Sequence, residues 1–339
     1  MGTENSLLLA GDVGATKTTV ALYELGPGFT IAAPINQQSY SNAHFDDFDA
    51  LVAGYLLQAK IRPTLACFGV AGPVLAGSVH MTNLAWTLSE NHLQQRHGLR
   101  RVILINDLVA TAVGSLHLPA HDLHVLNQGI EAIGAVKAML APGTGLGEAF
   151  LVPVDGRYQP LPSEGGHASF APRTDEQMAL LSFLTRRHQH VSVEQVCSGL
   201  AIPELFAFAA QQHPPPEWLL AELEDAVNKT PGIVNAAIRA IKGGEPCETA
   251  VRALSLFADI LADEAANLVL KTLALGGLYL GGGLAPRLLP LLSADRFMPI
   301  FARGSYQAML AQVPVRVVLN PQAALIGAAA HGYLQFSRQ

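Results

Sequence analysis

The stretch Arg101–Leu116, RVILINDLVATAVGSL, is the most informative part of the sequence for the fold. It begins with a short apolar, β-branched run, which is typical of a buried strand. Asn106 interrupts that run and can cap a helix. Beyond it, four apolar residues recur at the spacing of one helical face: Val109, Ala112, Val113 and Leu116. The sequence therefore predicts that Asn106 and Asp107 stand where a strand ends and a helix begins.

This position gives Asp107 two interpretations. In open α/β sheets, ligands bind at the carboxyl ends of strands, so the carboxylate could accept a proton from a substrate hydroxyl. A helix N-terminus also favours a negative charge, so Asp107 could simply stabilise the helix. The stretch alone leaves both interpretations open, and the rest of the chain has to decide between them.

The composition limits the class of protein. The chain has 339 residues, of which 50% are hydrophobic and 14% charged, so we expect a folded protein with two domains rather than one. The net charge is −6, and the longest basic runs are the pairs Arg100-Arg101 and Arg186-Arg187. This argues against nucleic acid or an anionic membrane surface as the main partner.

The cysteines and the apolar windows concern location. Cys67, Cys197 and Cys247 are far apart and odd in number, so they form neither a disulfide framework nor a zinc motif. The N-terminus lacks the pattern of a signal peptide. The most apolar window, Thr272–Pro286, is short and contains five glycines, which excludes a spanning helix. We expect a cytoplasmic protein that does not bind membranes.

A glycine-rich turn lies near the start of the chain. A strand at Leu7–Ala10 leads into the turn Gly11–Lys17, and Thr18–Leu25 reads as a returning strand. The turn offers backbone N–H groups, threonine hydroxyls and the Lys17 ammonium, which together suit phosphate. Asp12 could hold a hydrated Mg²⁺. An ordinary hairpin is the alternative for this turn by itself.

The same unit occurs again in the middle of the chain. A strand at Val136–Ala141 runs into the turn Pro142–Gly147, and a returning strand follows at Glu148–Val154. This repetition indicates a duplicated architecture with two similar halves. Two facing turns could hold one polyphosphate between them.

Two later segments contain polar groups suited to a sugar. Glu164 and His167 stand three apart in a glycine-bearing segment, residues 161–170, predicted to be a loop. Carboxylates accept hydrogen bonds from hydroxyls, and imidazole both donates and accepts. Glu194 is a single acid among apolar residues and could bind a ligand or cap a helix.

The C-terminal third is predicted to be mainly helical, with Thr230 as an N-cap before Pro231. A strand at Leu275–Leu280 then ends in Gly281-Gly282-Gly283, where backbone can approach a flat ring or a ribose closely. Pro286 is predicted to open another helix. The alternation of strands and helices indicates the α/β class.

These motifs together resemble bacterial glucokinases of the hexokinase/actin-like ATPase superfamily. The resemblance covers nearly the whole chain, in the family's order, on these motifs: GDVGATKTTVALYE (11–24), FGVAGPV (68–74) with MTNLAW (81–86), INDLVATA (105–112), APGTGLGEAFL (141–151), PSEGGHASFAP (162–172) with VEQVCSG (193–199), and LGGLYLGGGLAPRL (275–288).

The resemblance implies a fold, an activity and an assembly. The fold would be a two-domain, ribonuclease H-like ATPase fold with the active-site cleft between the domains. Residues 1–117 plus 320–339 would form the small α/β domain, and residues 118–319 the large one. The activity would be ATP-dependent, Mg²⁺-assisted phosphorylation of glucose to glucose 6-phosphate, the entry step of glycolysis. The assembly would be a homodimer.

The resemblance also implies residue roles. Asp107 would be the general base, with Asn106 binding the sugar beside it, and Glu164, His167 and Glu194 would bind the other ring hydroxyls. Asp12 would hold Mg²⁺, through water. The remaining implied contacts are with ATP: Gly11, Asp12, Gly14, Ala15, Thr16, Lys17, Gly143, Thr144, Gly145, Gly281, Gly282 and Gly283.

Departures from the family pattern define the alternatives. Ala15 and Lys17 stand where many members have glycine and asparagine, and lysine there is common in the related ROK sugar kinases, whose cysteine-rich zinc motif is missing here. A kinase for another hexose, or one that uses polyphosphate or ADP, remains open. A non-catalytic sugar sensor is disfavoured, because the first phosphate strand begins by Leu7 and leaves no room for a DNA-binding segment.

Overall fold

A computed structural model describes residues 6–25, 31, 34–81 and 84–336. Thr82 and Asn83 of the MTNLAW motif lie outside the described residues. The strands of the described part are β1 (Ser6–Val13), β2 (Lys17–Leu25), β3 (Asn36–Ser41), β4 (Leu65–Val70), β5 (Ser78–His80), β6 (Thr87–Ser89), β7 (Arg101–Asn106), β8 (Leu123–Asn127), β9 (Lys137–Pro142), β10 (Leu146–Val154), β11 (Arg157–Ser163), β12 (Gly277–Leu280) and β13 (Val315–Val318).

The helices follow the same α/β alternation. They are α1 (Phe48–Ala59), α2 (Glu90–His97), α3 (Asp107–Ser115), α4 (Asp175–Leu184), α5 (Ile202–Ala209), α6 (Glu217–Glu224), α7 (Thr230–Ile241), α8 (Glu248–Thr272), α9 (Ala294–Phe301), α10 (Gln307–Leu310) and α11 (Ala323–Phe336). None of the helices in the described ranges is long and apolar enough to cross a bilayer.

The two large sheets share one plan. The first has the order β3-β2-β1-β4-β7, and the second has the order β11-β10-β9-β12-β13-β8. In the first sheet, β3, β2 and β1 are antiparallel neighbours, and β4 and β7 run parallel to β1. In the second sheet, β11, β10 and β9 are antiparallel neighbours, and β12 and β13 run parallel to β9. The second sheet adds β8 antiparallel to β13. The duplication predicted from the two glycine turns is therefore present in the sheets themselves.

The sheets are separated by two helices. Leu325, Ala328 and Ala329 of α11 pack on the first sheet, and Ala323 and Ala330 of the same helix pack with the second. The helix α3 lies beside α11 and also contacts β10. On its other face, the second sheet is covered by α8, whose buried side is almost continuous.

The helices α3 and α11 touch backbone to backbone. A Cβ added to Gly114 would lie 1.9 Å from the Ala323 carbonyl oxygen, and one on Gly327 would lie 1.7 Å from that of Ala110. Glycine at both positions is what permits this approach. The last described helix is thereby fixed on the helix that begins at Asp107.

Several local predictions were wrong. Arg157–Ser163, predicted in part as loop, is the edge strand β11, whose two prolines hide the strand pattern. No helix begins at Pro286: Leu284 N–H donates to the Pro142 carbonyl, residues 282–291 form turns, and the next helix starts at Ala294. Thr230 is not an N-cap, because its hydroxyl donates to the Gly199 carbonyl and Lys229 precedes the helix.

Candidate active site

Asn106 ends β7 and caps α3. Its Oδ1 accepts from the amides of Leu108, at 2.9 Å, and Val109, at 3.3 Å, and its Nδ2 donates to the Gly72 carbonyl at 3.1 Å. The predicted strand-to-helix junction is confirmed. The amide group is thus fixed at both ends, which holds the neighbouring residue in one place.

Asp107 is the first residue of α3. Its Oδ1 accepts from the Leu108 amide at 2.9 Å. Burial raises the pKa of Asp107, and the Leu108 amide opposes that rise. Beside it, Gly69 of β4 leaves no room for a side chain, since an added Cβ would lie 2.8 Å from the Cβ of Ala110. The carboxyl therefore stands at a shared strand edge and holds its proton more readily than a free aspartate.

Asp12 stands at the same sheet edge, near the end of β1. Burial is the main cause that raises its pKa to about 6, the charge of Asp107 adds to the rise, and Lys17 opposes it. The structure therefore brings Asp12, Asp107 and Lys17 within electrostatic reach of one another. Gly11, just before Asp12, is buried against Phe68, where an added Cβ would lie 2.7 Å from the ring.

The first turn is shorter than predicted, because β1 continues to Val13 and β2 starts at Lys17. Gly14 and Ala15 are half-buried, whereas Thr16 and Lys17 are exposed. The Gly14 amide donates to the Lys17 carbonyl at 3.0 Å, which closes the turn.

Asn42 is the support of this turn that sequence reasoning missed. The residue is buried, and its Nδ2 donates to the Gly14 carbonyl at 2.8 Å. Its Oδ1 accepts from the buried Thr18 hydroxyl at 2.8 Å, and its backbone N–H donates to the Thr16 carbonyl at 3.0 Å. No signal in the polar segment around it distinguishes this asparagine from a surface residue.

The second turn is held by hydrogen bonds within the turn and to a later segment of the chain, Gly199-Leu200. Gly143 N–H donates to the Gly145 carbonyl at 2.9 Å, and the amides of Gly199 and Leu200 donate to the carbonyls of Gly143 and Thr144. Thr144 is exposed. An added Cβ on Gly145 would lie 2.3 Å from Oε2 of Glu194, so a larger residue there would displace that carboxylate.

Glu194 joins this turn to His167 and Glu164. Its Oε2 accepts from the Leu146 amide at 2.8 Å, and its Oε1 lies 3.9 Å from Nδ1 of His167. His167 Nε2 in turn lies 3.9 Å from Oε2 of Glu164. The three predicted sugar-side groups are thus in one cluster, with Glu164 and His167 largely exposed.

The glycine triplet lies against the second turn. Gly281 N–H donates to the Leu140 carbonyl at 2.9 Å. Gly282 has a φ of 74°. An added Cβ there would lie 2.4 Å from the Pro142 carbonyl oxygen. The exposed positions 282 and 283 therefore present bare backbone beside the turn at 143–145.

Leu108 connects the two halves of the site. A Cβ added to Gly147 on β10 would lie 2.6 Å from Cδ2 of Leu108, so the residue after Asp107 packs directly on the second unit. The turns, Asp107 and the sugar-side cluster thereby belong to one region, formed from the ends of β1, β7, β9 and β12.

A cavity of about 480 Å³ opens farther along α7. Arg287, four residues after Gly283, lies in its wall and donates to Oδ1 of Asn235 at 3.0 Å. The sequence offered no pattern for this cavity beyond the nearby glycine triplet. Its lining residues are Glu222, Val234, Asn235, Ile238, Arg239, Lys242 and Arg287.

Comparisons with known proteins identify chains similar to this one over nearly its whole length. A glucokinase from Nostoc punctiforme is 38% identical over 335 residues, covering 96% of this chain and 98% of that protein. A crystal structure of glucokinase from an Antarctic psychrotroph has a TM-score of 0.82 at 33% identity and covers 97% of this chain and 99% of its own. A ROK family glucokinase from Streptomyces griseus, in complex with glucose and AMPPNP, has a TM-score of 0.64 at 19% identity, with 97% and 100% coverage.

The fold defines the class: the chain has the actin-like ATPase fold, which it shares with the glucokinase from the Antarctic psychrotroph. The family model described as Glucokinase matches residues 9–334. The chain therefore belongs to the glucokinase family.

Proposed function

We propose that this chain transfers the γ-phosphoryl group of ATP to the 6-hydroxyl of D-glucose. The observation that supports this best is Asp107, a half-buried carboxyl at a helix start, flanked by a glycine-rich turn suited to phosphate and by a cluster of hydroxyl-binding groups. Family membership supports the same activity. The complex of the Streptomyces griseus relative with glucose and AMPPNP supports both substrates.

In this mechanism Asp107 orients the attacking hydroxyl and takes its proton as the new O–P bond forms, since phosphoryl transfer depends mainly on positioning and charge neutralisation. Asn106 would bind the sugar beside it. Glu164, His167 and Glu194 would accept and donate hydrogen bonds to the other ring hydroxyls. The cleft would exclude water, so that ATP is not hydrolysed instead.

The turns at Gly11–Lys17 and Gly143–Gly145 would hold the phosphates through backbone N–H groups, hydroxyls and the Lys17 ammonium. Gly281–Gly283 would line the pocket for the adenosine of ATP. The neighbouring cavity at Asn235 and Arg287 would receive the end of the adenosine that lies farthest from the phosphates.

Asp12 fits a magnesium ion held through water. Its carboxyl is half-buried within electrostatic reach of Asp107, and the mutual repulsion of two carboxylates favours a cation between them. When bound, Mg²⁺ would neutralise charge on the phosphate oxygens. In the described residues no three histidine, cysteine or acidic side chains cluster as metal ligands, so the ion would depend on Asp12, water and phosphate.

Three structural expectations belong to the same proposal. The domains would be 1–117 with 320–339, and 118–319, which agrees with α11 packing on the first sheet. The three free, buried cysteines support a reducing, cytoplasmic location. The assembly would be a homodimer, and light scattering on the purified protein would test it.

The experiment is ADP formation from Mg-ATP with glucose, mannose, fructose, galactose and N-acetylglucosamine. A strong signal with glucose alone would support the proposal. Equal rates with several sugars would leave the role of Asp107 unchanged and would mean that the substrate is a range of hexoses rather than glucose alone. Glucose phosphorylation with polyphosphate or ADP but not ATP would replace the donor, and glucose binding without any transfer would favour a sensor.

A further inference from the structure

Glu148 is a buried acid that the mechanism above does not use. It lies in β10, three residues after Gly145, and only 3% of its surface is exposed. Among the described residues its Oε1 has no hydrogen-bond partner. A buried carboxylate oxygen without a donor is costly, because it loses its hydration and gains nothing in exchange. Glu148 therefore needs an explanation beyond the packing of β10.

The side chain lies directly beneath the segment that contains Glu164 and His167. A Cβ added to Gly165 would lie 1.9 Å from Oε2 of Glu148, and one added to Gly166 would lie 2.2 Å from the Leu146 carbonyl oxygen. The 3₁₀ turn Gly165–His167 therefore packs on the Glu148 carboxyl at Gly165 and on the β10 backbone at Gly166. Any movement of the Glu148 carboxyl is passed directly to this turn.

The neighbours of Glu148 include few charges. Burial is the main cause that raises its pKa to about 7; Glu264 on α8 adds to the rise, and Lys271 on α8 opposes it. Cys197 is fully buried nearby, and burial raises the pKa of its thiol well above the usual value, so the thiol stays neutral. Ser163 and Leu140, in register on the flanking strands, have no charge.

We propose that Glu148 is a positioning residue for glucose, and that the Gly165–His167 turn keeps its sugar-binding geometry only while the carboxyl beneath it is neutral. This inference rests on the proposed function. An ionised carboxyl without a donor is drawn toward Lys271 or toward the Gly165 N–H, which now donates to Oγ of Ser163 at 3.0 Å. Either movement displaces Gly165, and with it Glu164 and His167.

The test is the pH dependence of the KM for glucose, measured from about pH 6 to about pH 8.5. In the wild type this KM should rise about two- to tenfold across the range, the equivalent of one hydrogen bond, while the KM for ATP does not follow the same curve. Glu148→Gln keeps the shape and fixes the neutral state, so its glucose KM should stay low and flat. Glu224→Gln, a matched change at an exposed position, should retain the wild-type curve.

Two further variants decide the question even if Glu148→Gln does not fold. Glu264→Gln removes a charge that raises the pKa of Glu148, so the inflection should move to lower pH; Lys271→Ala should move it to higher pH. A glucose KM with the same inflection in Glu148→Gln, or no shift in the other two, would overturn the inference. Absence of glucose phosphorylation in the wild type would instead overturn the proposed function.

Discussion

The two glycine turns have the same place in their sheets but are built for different tasks. The first turn has its own charges, Asp12 and Lys17, and is held by the side chain of Asn42. The second turn is uncharged and is held by Gly199, Leu200 and Glu194. In the proposed function, the duplicated backbone would therefore bring charge to one side of the phosphates and join the other side to the cluster of Glu164, His167 and Glu194.

Because of this difference, we expect the two turns to respond differently to substitution. Changes at the first turn should affect nucleotide and metal, whereas changes at the second should affect nucleotide and sugar together. The residue between them, Asp107, should affect the chemical step and neither turn.

The largest effect is expected for Asp107→Ala. Loss of the general base should lower kcat by about 10²- to 10⁴-fold, with both KM values close to wild type, in steady-state assays. Asp175→Ala is the matched control, because Asp175 is likewise the first residue of a helix, α4, but lies away from the site. Equal losses in the two variants would mean that Asp107 only stabilises its helix.

Gly145→Ala should affect both substrates. Its methyl group would displace the Glu194 carboxylate from the Leu146 amide, and the loss of such a hydrogen bond, about 1–3 kcal/mol, should raise the KM for glucose and for ATP about 5- to 150-fold. Gly54→Ala, at an exposed position of α1 away from both turns, is the control, because its methyl group meets only the Phe45 ring, at 3.9 Å. A glucose KM that Gly145→Ala leaves unchanged would separate the second turn from the sugar site.

Asn42→Ala should act on the nucleotide alone. The Gly14 carbonyl and the Thr18 hydroxyl lose their partner, which costs about 1–3 kcal/mol and should raise the KM for ATP severalfold while the glucose KM stays constant. Gln37→Ala, at an exposed position of the neighbouring strand β3, should change neither constant. Parallel increases in both constants would contradict separate tasks for the two turns.

Asp12 predicts a pH effect on the metal. Because its pKa is about 6, the carboxyl gains a proton below that pH, and the Mg²⁺ concentration for half-maximal activity should rise up to about tenfold per pH unit. The ionisation of ATP contributes as well, so the measurement compares the wild type with Asp12→Asn. The two proteins should differ above pH 6 and converge below it; parallel curves would exclude Asp12 as the ligand.

The smallest effect is expected for His167→Ala, which removes an exposed hydrogen-bonding group. The KM for glucose should rise about two- to tenfold with the KM for ATP unchanged, as measured by varying each substrate in turn. His190→Ala, an exposed histidine beyond the cluster, is the control. Equal changes in both constants would count against a sugar contact.

The parts that sequence could predict are those with local causes. The strand, cap and helix around Asn106 follow from residues next to one another, and the clustering of Asp12, Asp107 and the second turn follows from the rule for strand ends. The missed parts depend on distant contacts. Asn42 supports a turn 28 positions away, and the helix predicted at Pro286 is prevented by a bond to Pro142.

Glu148 shows a further limit of sequence reasoning. In the sequence it is one residue of a returning strand, and nothing nearby marks it as buried or unpartnered. The role proposed for Glu148 depends on Gly165, in the 3₁₀ turn that follows β11, and on Glu264, more than a hundred positions later. Alternation along an edge hairpin cannot reveal which side chain a later helix will cover.

The backbone contact between α3 and α11 has a consequence for biosynthesis. Residues 323–336 leave the ribosome only after about two hundred residues that follow α3 have been made, so the helix that begins at Asp107 has no partner during that interval. The first sheet lacks the cover of α11 over the same period. Closing so long a loop is slow relative to local folding. We therefore expect the active site to be assembled late, after the second sheet has formed, with nascent chains as the species that depends most on chaperones.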